Sequence, residues 1–120
     1  METGHKPGES LICTGKIKHV GTQYKREWEY MRSIVPPDRV KELKLTLPAP
    51  EWYHLRYKPG YAYADGVYSN DEEYFADIAA AYRTELQTLY DMGCRNVTID
   101  DPNLACKFTF RHPMFEIDGL

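Results

Sequence analysis

The stretch that most constrains the fold is Arg95-Asn96-Val97-Thr98-Ile99-Asp100-Asp101-Pro102-Asn103-Leu104. A short β-branched run ends in two adjacent carboxylates and is stopped by a proline. Proline has no N–H for a strand ladder and pushes the residue before it into an extended conformation. The pattern is that of a buried strand carrying acid at its C-terminal end. Sheets of α/β proteins and (β/α) barrels keep their binding sites there, because the loops beyond the strand ends enclose a crevice while the strands stay packed.

A strong helix signal leads into this strand. Ser69-Asn70-Asp71-Glu72 has the form of a Ser-x-x-Glu capping box with acid in the first turn, so a helix is predicted from about Asp71. Phe75, Ile78, Tyr82, Leu86 and Leu89 keep one apolar stripe, and Gly93 suits the left-handed position after a helix end. Upstream, residues 43–50 (Leu-Lys-Leu-Thr-Leu-Pro-Ala-Pro) alternate apolar and polar before a proline stop and read as a strand. Strand, loop, helix and strand make a unit whose default is a parallel pair joined by a right-handed crossover. Nearer the start, Tyr24, Trp28, Met31 and Val35 recur at helical spacing after Thr22, a candidate N-cap, until Pro36-Pro37. A further short strand is predicted over residues 14–19, and residues 1–10 read as a mobile lead-in.

Between the second strand and the long helix, residues 51–70 hold Trp52, Tyr53, Tyr57, Tyr61, Tyr63 and Tyr68. Two readings stay open: an aromatic wall over a small-molecule pocket, or a loop that packs its own rings. The chain carries ten tyrosines in 120 residues, a level that belongs to binding surfaces more often than to plain cores. Its net charge of −3 disfavours nucleic acid and anionic membrane surfaces, which select for basic proteins. Three cysteines, Cys13, Cys94 and Cys106, at irregular spacing are no disulfide framework and suit a reducing compartment. With neither a charged-then-apolar leader nor a bilayer-length apolar run, a cytoplasmic protein is expected.

Three segments carry a resemblance: residues 42–54 (Glu-Leu-Lys-Leu-Thr-Leu-Pro-Ala-Pro-Glu-Trp-Tyr-His), residues 70–83 (Asn-Asp-Glu-Glu-Tyr-Phe-Ala-Asp-Ile-Ala-Ala-Ala-Tyr-Arg) and residues 93–104 (Gly-Cys-Arg-Asn-Val-Thr-Ile-Asp-Asp-Pro-Asn-Leu). Together they resemble the cobalamin-independent methionine synthase family, in particular its single-barrel fungal members, within the superfamily shared with uroporphyrinogen decarboxylase. The likeness spans residues 15–104, and Ile99-Asp100-Asp101-Pro102 is similar to the family's Ile-Asp-Glu-Pro signature. It implies an α/β fold, a partial (β/α)8 TIM-barrel-like unit of about three parallel strands and two long helices, completed by self-association. In domain terms, a lead-in over 1–13 precedes the partial barrel over 14–104, and a divergent tail over 105–120 follows.

The resemblance implies methyl transfer from a folate to a homocysteine-type thiol, weak or absent in so short a chain, with a non-catalytic, self-associating interaction protein as the alternative. By matching position, Asp100 would help hold the amino acid, Asp101 stands where the family has glutamate, and Trp52 with Tyr53 lies where it places an aromatic against the pterin. The family's zinc stabilises the substrate thiolate. Its His-x-Cys pair and later Glu and Cys have no counterpart here, so no metal or other cofactor is expected and no residue is assigned a catalytic role. Cys94, Cys106 and His112 lack metal-ligand spacing, and His19 and His54 read as surface groups. The expected partners are a second copy of the chain and a small amino acid or folate.

Overall fold

The computed structural model describes residues 11–55 and 57–102. The lead-in over residues 1–10, Arg56, and the tail with Cys106 and His112 lie outside the described residues. In chain order come helix α1 (Lys25–Ile34), a 3-10 helix (Pro37–Glu42), strand β1 (Lys44–Pro48), a second 3-10 helix (Pro50–Tyr53), helix α2 (Asp71–Asp91) and strand β2 (Asn96–Asp100).

The two strands form one parallel sheet in which Leu45 faces Val97 and Leu47 faces Ile99. The ladder runs one residue past β1, where the Ala49 amide donates to the Asp100 carbonyl at 3.0 Å. Alternation in β1 places Leu45 and Leu47 inward and Lys44, Thr46 and Pro48 outward. Beneath β1, Trp28 of α1 and Leu89 of α2 are fully buried and meet Leu45, Leu47 and Cys94 in one cluster.

Helix α2 begins at Asp71 as its acidic first turn predicts, but its cap is Asn70, not Ser69. The Asn70 side chain accepts from the Glu73 amide at 2.9 Å, and Glu73 reaches back to the Ser69 amide at 3.2 Å, a capping box displaced by one residue. At the other end the Cys94 amide donates to the Leu89 carbonyl and the Gly93 amide to the Tyr90 carbonyl, both at 2.9 Å. Gly93 has φ +98°, so this is a Schellman close, and the accompanying apolar contact is that of Cys94 and Leu89 in the core.

The expectation of a partial (β/α)8 unit with three strands and two long helices is overturned. Only β1 and β2 form a sheet among the described residues, and the helices are unequal, 10 residues in α1 against 21 in α2. Pro36 and Pro37 cut α1 short, because neither ring nitrogen can donate to a helix ladder. Residues 14–19 form no strand. Their segment contacts the aromatic loop through a single bridge, Cys13 to Tyr63, and then spends its polar groups on side chains: the Ile17 amide donates to the Tyr68 hydroxyl at 2.7 Å. The strand read as buried is also open. Asn96, Ile99 and Asp100 are exposed and Val97 and Thr98 half-buried, because among the described residues neither a third strand nor a helix covers that side.

Candidate functional site

The rings of residues 51–70 divide between a packed cluster and the lining of a cleft. Tyr63 and Tyr68 turn inward and pack with Tyr74 of α2 at centroid distances of 5.2–5.4 Å, forming a second core cluster with Ala62 and Ile78. Trp52, Tyr53 and Tyr57 line a cleft of about 770 Å³, together with Tyr74, Ile78 and Tyr82 of α2 and with Leu11, Ile12, Cys13 and Ile17.

The wall is held by hydrogen bonds to backbone carbonyls. The Tyr74 hydroxyl donates to the Tyr53 carbonyl at 2.7 Å, Tyr82 to the Pro48 carbonyl at 2.9 Å, and Tyr57 to the Leu11 carbonyl. Burial pushes the Tyr74 hydroxyl up to about 12 and raises that of Tyr82, the latter with help from neighbouring Tyr53, so both are neutral donors at physiological pH. Tyr53 and Tyr82 meet edge to face at 6.3 Å. Such a chamber is suited to a flat, largely apolar ring: it offers stacking faces and few polar handles.

The sequence-derived site is only partly gathered. Trp52 and Tyr53, 40% and 49% exposed, stand at the cleft directly beyond β1. Asp100 is exposed at the end of β2 and Asp101 is half-buried beside it, and neither lines the cleft. Cys94 is buried in the Trp28 cluster, its thiol 3.3 Å from the Asn96 carbonyl. Among the described residues no three His, Cys, Asp or Glu side chains come together as a metal site, so these residues do not fit the zinc that the resemblance implies.

The two histidines read as surface groups are not. His54 is mostly buried, with Phe75 at 5.1 Å, and its Nε2 lies 3.3 Å from Asp71, within ion-pair reach but off the hydrogen-bond direction. His19 lies 2.5 Å from Glu85 of α2, both side chains mostly buried. A signal for the second pair was present in the sequence: Glu85 falls between Tyr82 and Leu89 on the inward stripe of α2, where a charge needs a partner.

Asp71 ties the loop to α2. Burial acts to raise its pKa, but hydrogen bonds from the Tyr63 hydroxyl (2.9 Å) and the Gly60 amide (3.0 Å), with the nearby His54, outweigh it and hold the carboxyl below its usual value. A carboxylate depressed in the folded state stabilises fully above its unfolded pKa of 3.8, and that contribution disappears as pH falls through the lower folded value. Urea midpoints of Asp71→Asn are therefore expected to fall less steeply on acidification than those of the parent chain. Parallel curves would show that Asp71 contributes nothing to acid sensitivity.

No protein-family model matches the chain, and no solved structure matches it. A curated relative does. Over 100 residues the chain is 31% identical to the uncharacterized protein YxjH of Bacillus subtilis (strain 168), a match that takes in 82% of this chain and 24% of the relative. The chain thus spans about a quarter of the length of the curated relative it matches. No helix among the described residues is long and apolar enough to cross a membrane.

Proposed function

We propose that the chain is a methionine-synthase-like protein of the cytoplasm that retains the ligand-binding side of methyl transfer between a folate and a homocysteine-type thiol, and that on its own it binds more than it turns over. The observation that carries this reading is the aromatic cleft, with Trp52 and Tyr53 placed just beyond β1 where the resemblance sets an aromatic against the pterin. A pterin ring stacks between Trp52 and Tyr53, and Asp100 takes the amino acid from the neighbouring strand end. Free Cys13 and Cys94 accord with a reducing compartment.

Calorimetric titration with folic acid tests it. Removing a stacking ring costs about 1–3 kcal/mol, so Trp52→Ala is expected to weaken binding by about 5- to 150-fold. Buried Trp28 reports separately that the variant is folded. Equal affinity in the two proteins, or no saturable binding by the parent chain, would remove the folate reading.

A second reading, self-association without catalysis, is favoured by the open strand β2, where Ile99 is 42% exposed in a sheet of two strands. Uncovered strand edges recruit other strands, and a lysine on such a strand opposes that pairing. Ile99→Lys is expected to convert an oligomer to a monomer in sedimentation while the circular dichroism spectrum stays the same. A parent chain that sediments as a monomer at high micromolar concentration would count against association.

A further inference from the structure

Among the described residues strand β2 has one partnered edge and one open edge, and the phase of its backbone fixes which groups each edge carries. The Asp100 carbonyl accepts from the Ala49 amide, so Asn96, Thr98 and Asp100 turn their backbone groups toward β1. The N–H and C=O of Val97 and Ile99 therefore point away from the sheet, where no described strand receives them. The far edge of β1 is different. There Pro48 has no N–H to give, its carbonyl accepts from the Tyr82 hydroxyl at 2.9 Å, and Lys44 stands exposed at the other end. Proline and lysine are residues with which sheet edges discourage further pairing, and β2 has neither.

The open edge of β2 is complementary to a second copy of itself. Two like edges related by a two-fold axis run antiparallel, and the residue on the axis sets the register. With Thr98 there, Val97 faces the partner's Ile99 and exchanges its outward hydrogen bonds with it. Asn96 then faces the partner's Asp100, and Arg95 the partner's Asp101. Every contact occurs twice, so β-branched side chains meet in the middle and opposite charges meet at both ends. Val97 and Ile99 lie on the face that carries Leu45 and Leu47, so the pairing covers Ile99, now 42% exposed, and continues the apolar face. Placing Val97 on the axis instead sets Arg95 against Ile99, and placing Ile99 there sets Val97 against Asp101. An axis between two residues brings together backbone groups that point the wrong way. Arg95 is exposed, its Nη1 donates to the Tyr90 and Cys94 carbonyls, and among the described residues its guanidinium pairs with no carboxylate.

We propose that two copies of the chain join along the open edge of β2, antiparallel about Thr98, with Val97 against Ile99 and Arg95 against Asp101 across the two-fold axis. The proposal rests on the self-association reading and adds to it the partner, the register and the residues that select them. Strands this short make a small interface, so the dimer is expected to dissociate in the micromolar range.

Sedimentation equilibrium of the whole chain tests this by exchanging charges. Arg95→Glu and Asp101→Arg each make both end pairs repulsive in their own homodimer, and each is expected to weaken association about tenfold. Mixed in equal amounts, the two variants regain both attractive pairs, and the affinity of the parent chain should return. Thr98→Cys gives an independent readout should either variant fail to fold. Facing Cβ atoms in such a pair lie about 4.5–5.5 Å apart or closer, so oxidised glutathione should link two copies through this position. The parent chain, treated alike, is the control for Cys13, Cys94 and Cys106. Unchanged affinity in both folded charge variants, a mixture no tighter than its components, or no link beyond the control would each overturn the register while self-association stands. A parent chain that stays monomeric at high micromolar concentration overturns both, and residues 103–120 of the same chain are then the candidate to cover the edge.

Discussion

Trp28→Ala is expected to lower the stability of the chain by about 3–5 kcal/mol, the cost of emptying a large aromatic from a closed core. Trp28 is 0% exposed and sits where α1, β1 and α2 converge, against Leu45, Leu47, Leu89 and Cys94. Its indole N–H donates to the Met92 carbonyl at 2.9 Å, just past the end of α2, and so also fastens the helix terminus. Arg32 reaches the same carbonyl at 3.3 Å, so the acceptor is not orphaned in the variant and the loss is mainly one of packing. A domain of this size has a total stability of only about 5–15 kcal/mol, so a substantial unfolded population is expected. Urea unfolding followed by circular dichroism gives the number. Trp28→Phe separates the terms, since it keeps most of the volume and should recover more than half of the loss. A loss below about 1 kcal/mol for Trp28→Ala would mean that α1 does not dock as described.

Tyr74→Ala is expected to cost a similar amount, about 3–5 kcal/mol, and in addition to open the aromatic cleft. Tyr74 is 2% exposed and is the ring shared by the second cluster, with Tyr63, Tyr68 and Phe75 at 5.2, 5.4 and 5.7 Å. Its hydroxyl holds the Tyr53 carbonyl, so truncation removes both the floor of the cluster and a fixing point of the cleft wall. Tyr74→Phe keeps the ring and should cost only about 1 kcal/mol, the worth of one hydrogen bond. The clusters share no residue, and α2 serves both: Tyr74 and Ile78 belong to the tyrosine cluster, and Leu89, near the other end, to that of Trp28. The double variant should therefore lose the sum of the single losses to within about 0.5 kcal/mol. A large departure from additivity would show that α2 passes strain between its ends.

Helix α2 was the most legible part of the sequence, and its buried face the least. Its start and stop rest on local chemistry, since Asn70 accepts from the Glu73 amide, Glu73 accepts from the Ser69 amide, and Gly93 closes the far end whatever packs above. The stripe expected from spacing ran through Phe75 and Leu86, yet these are 41% and 38% exposed while Tyr74 is buried. Adjacent aromatics lie only about 100° apart on a helix, so periodicity cannot choose between them. Tyr63 and Tyr68, arriving from the loop, made the choice.

By itself the sequence determined what depends on near neighbours: the ends of two proline-stopped strands, the limits of α2 and the break after α1. Caps, proline stops and alternation act over a few residues and do not need the rest of the chain. The tertiary structure alone decided how many strands the sheet has, that residues 14–19 are spent on α2 and the tyrosine loop instead of a ladder, and that His19 meets Glu85 across 66 positions. Those outcomes rest on contacts between distant segments competing for the same faces and hydrogen-bonding groups. That competition is resolved only when the whole chain is packed.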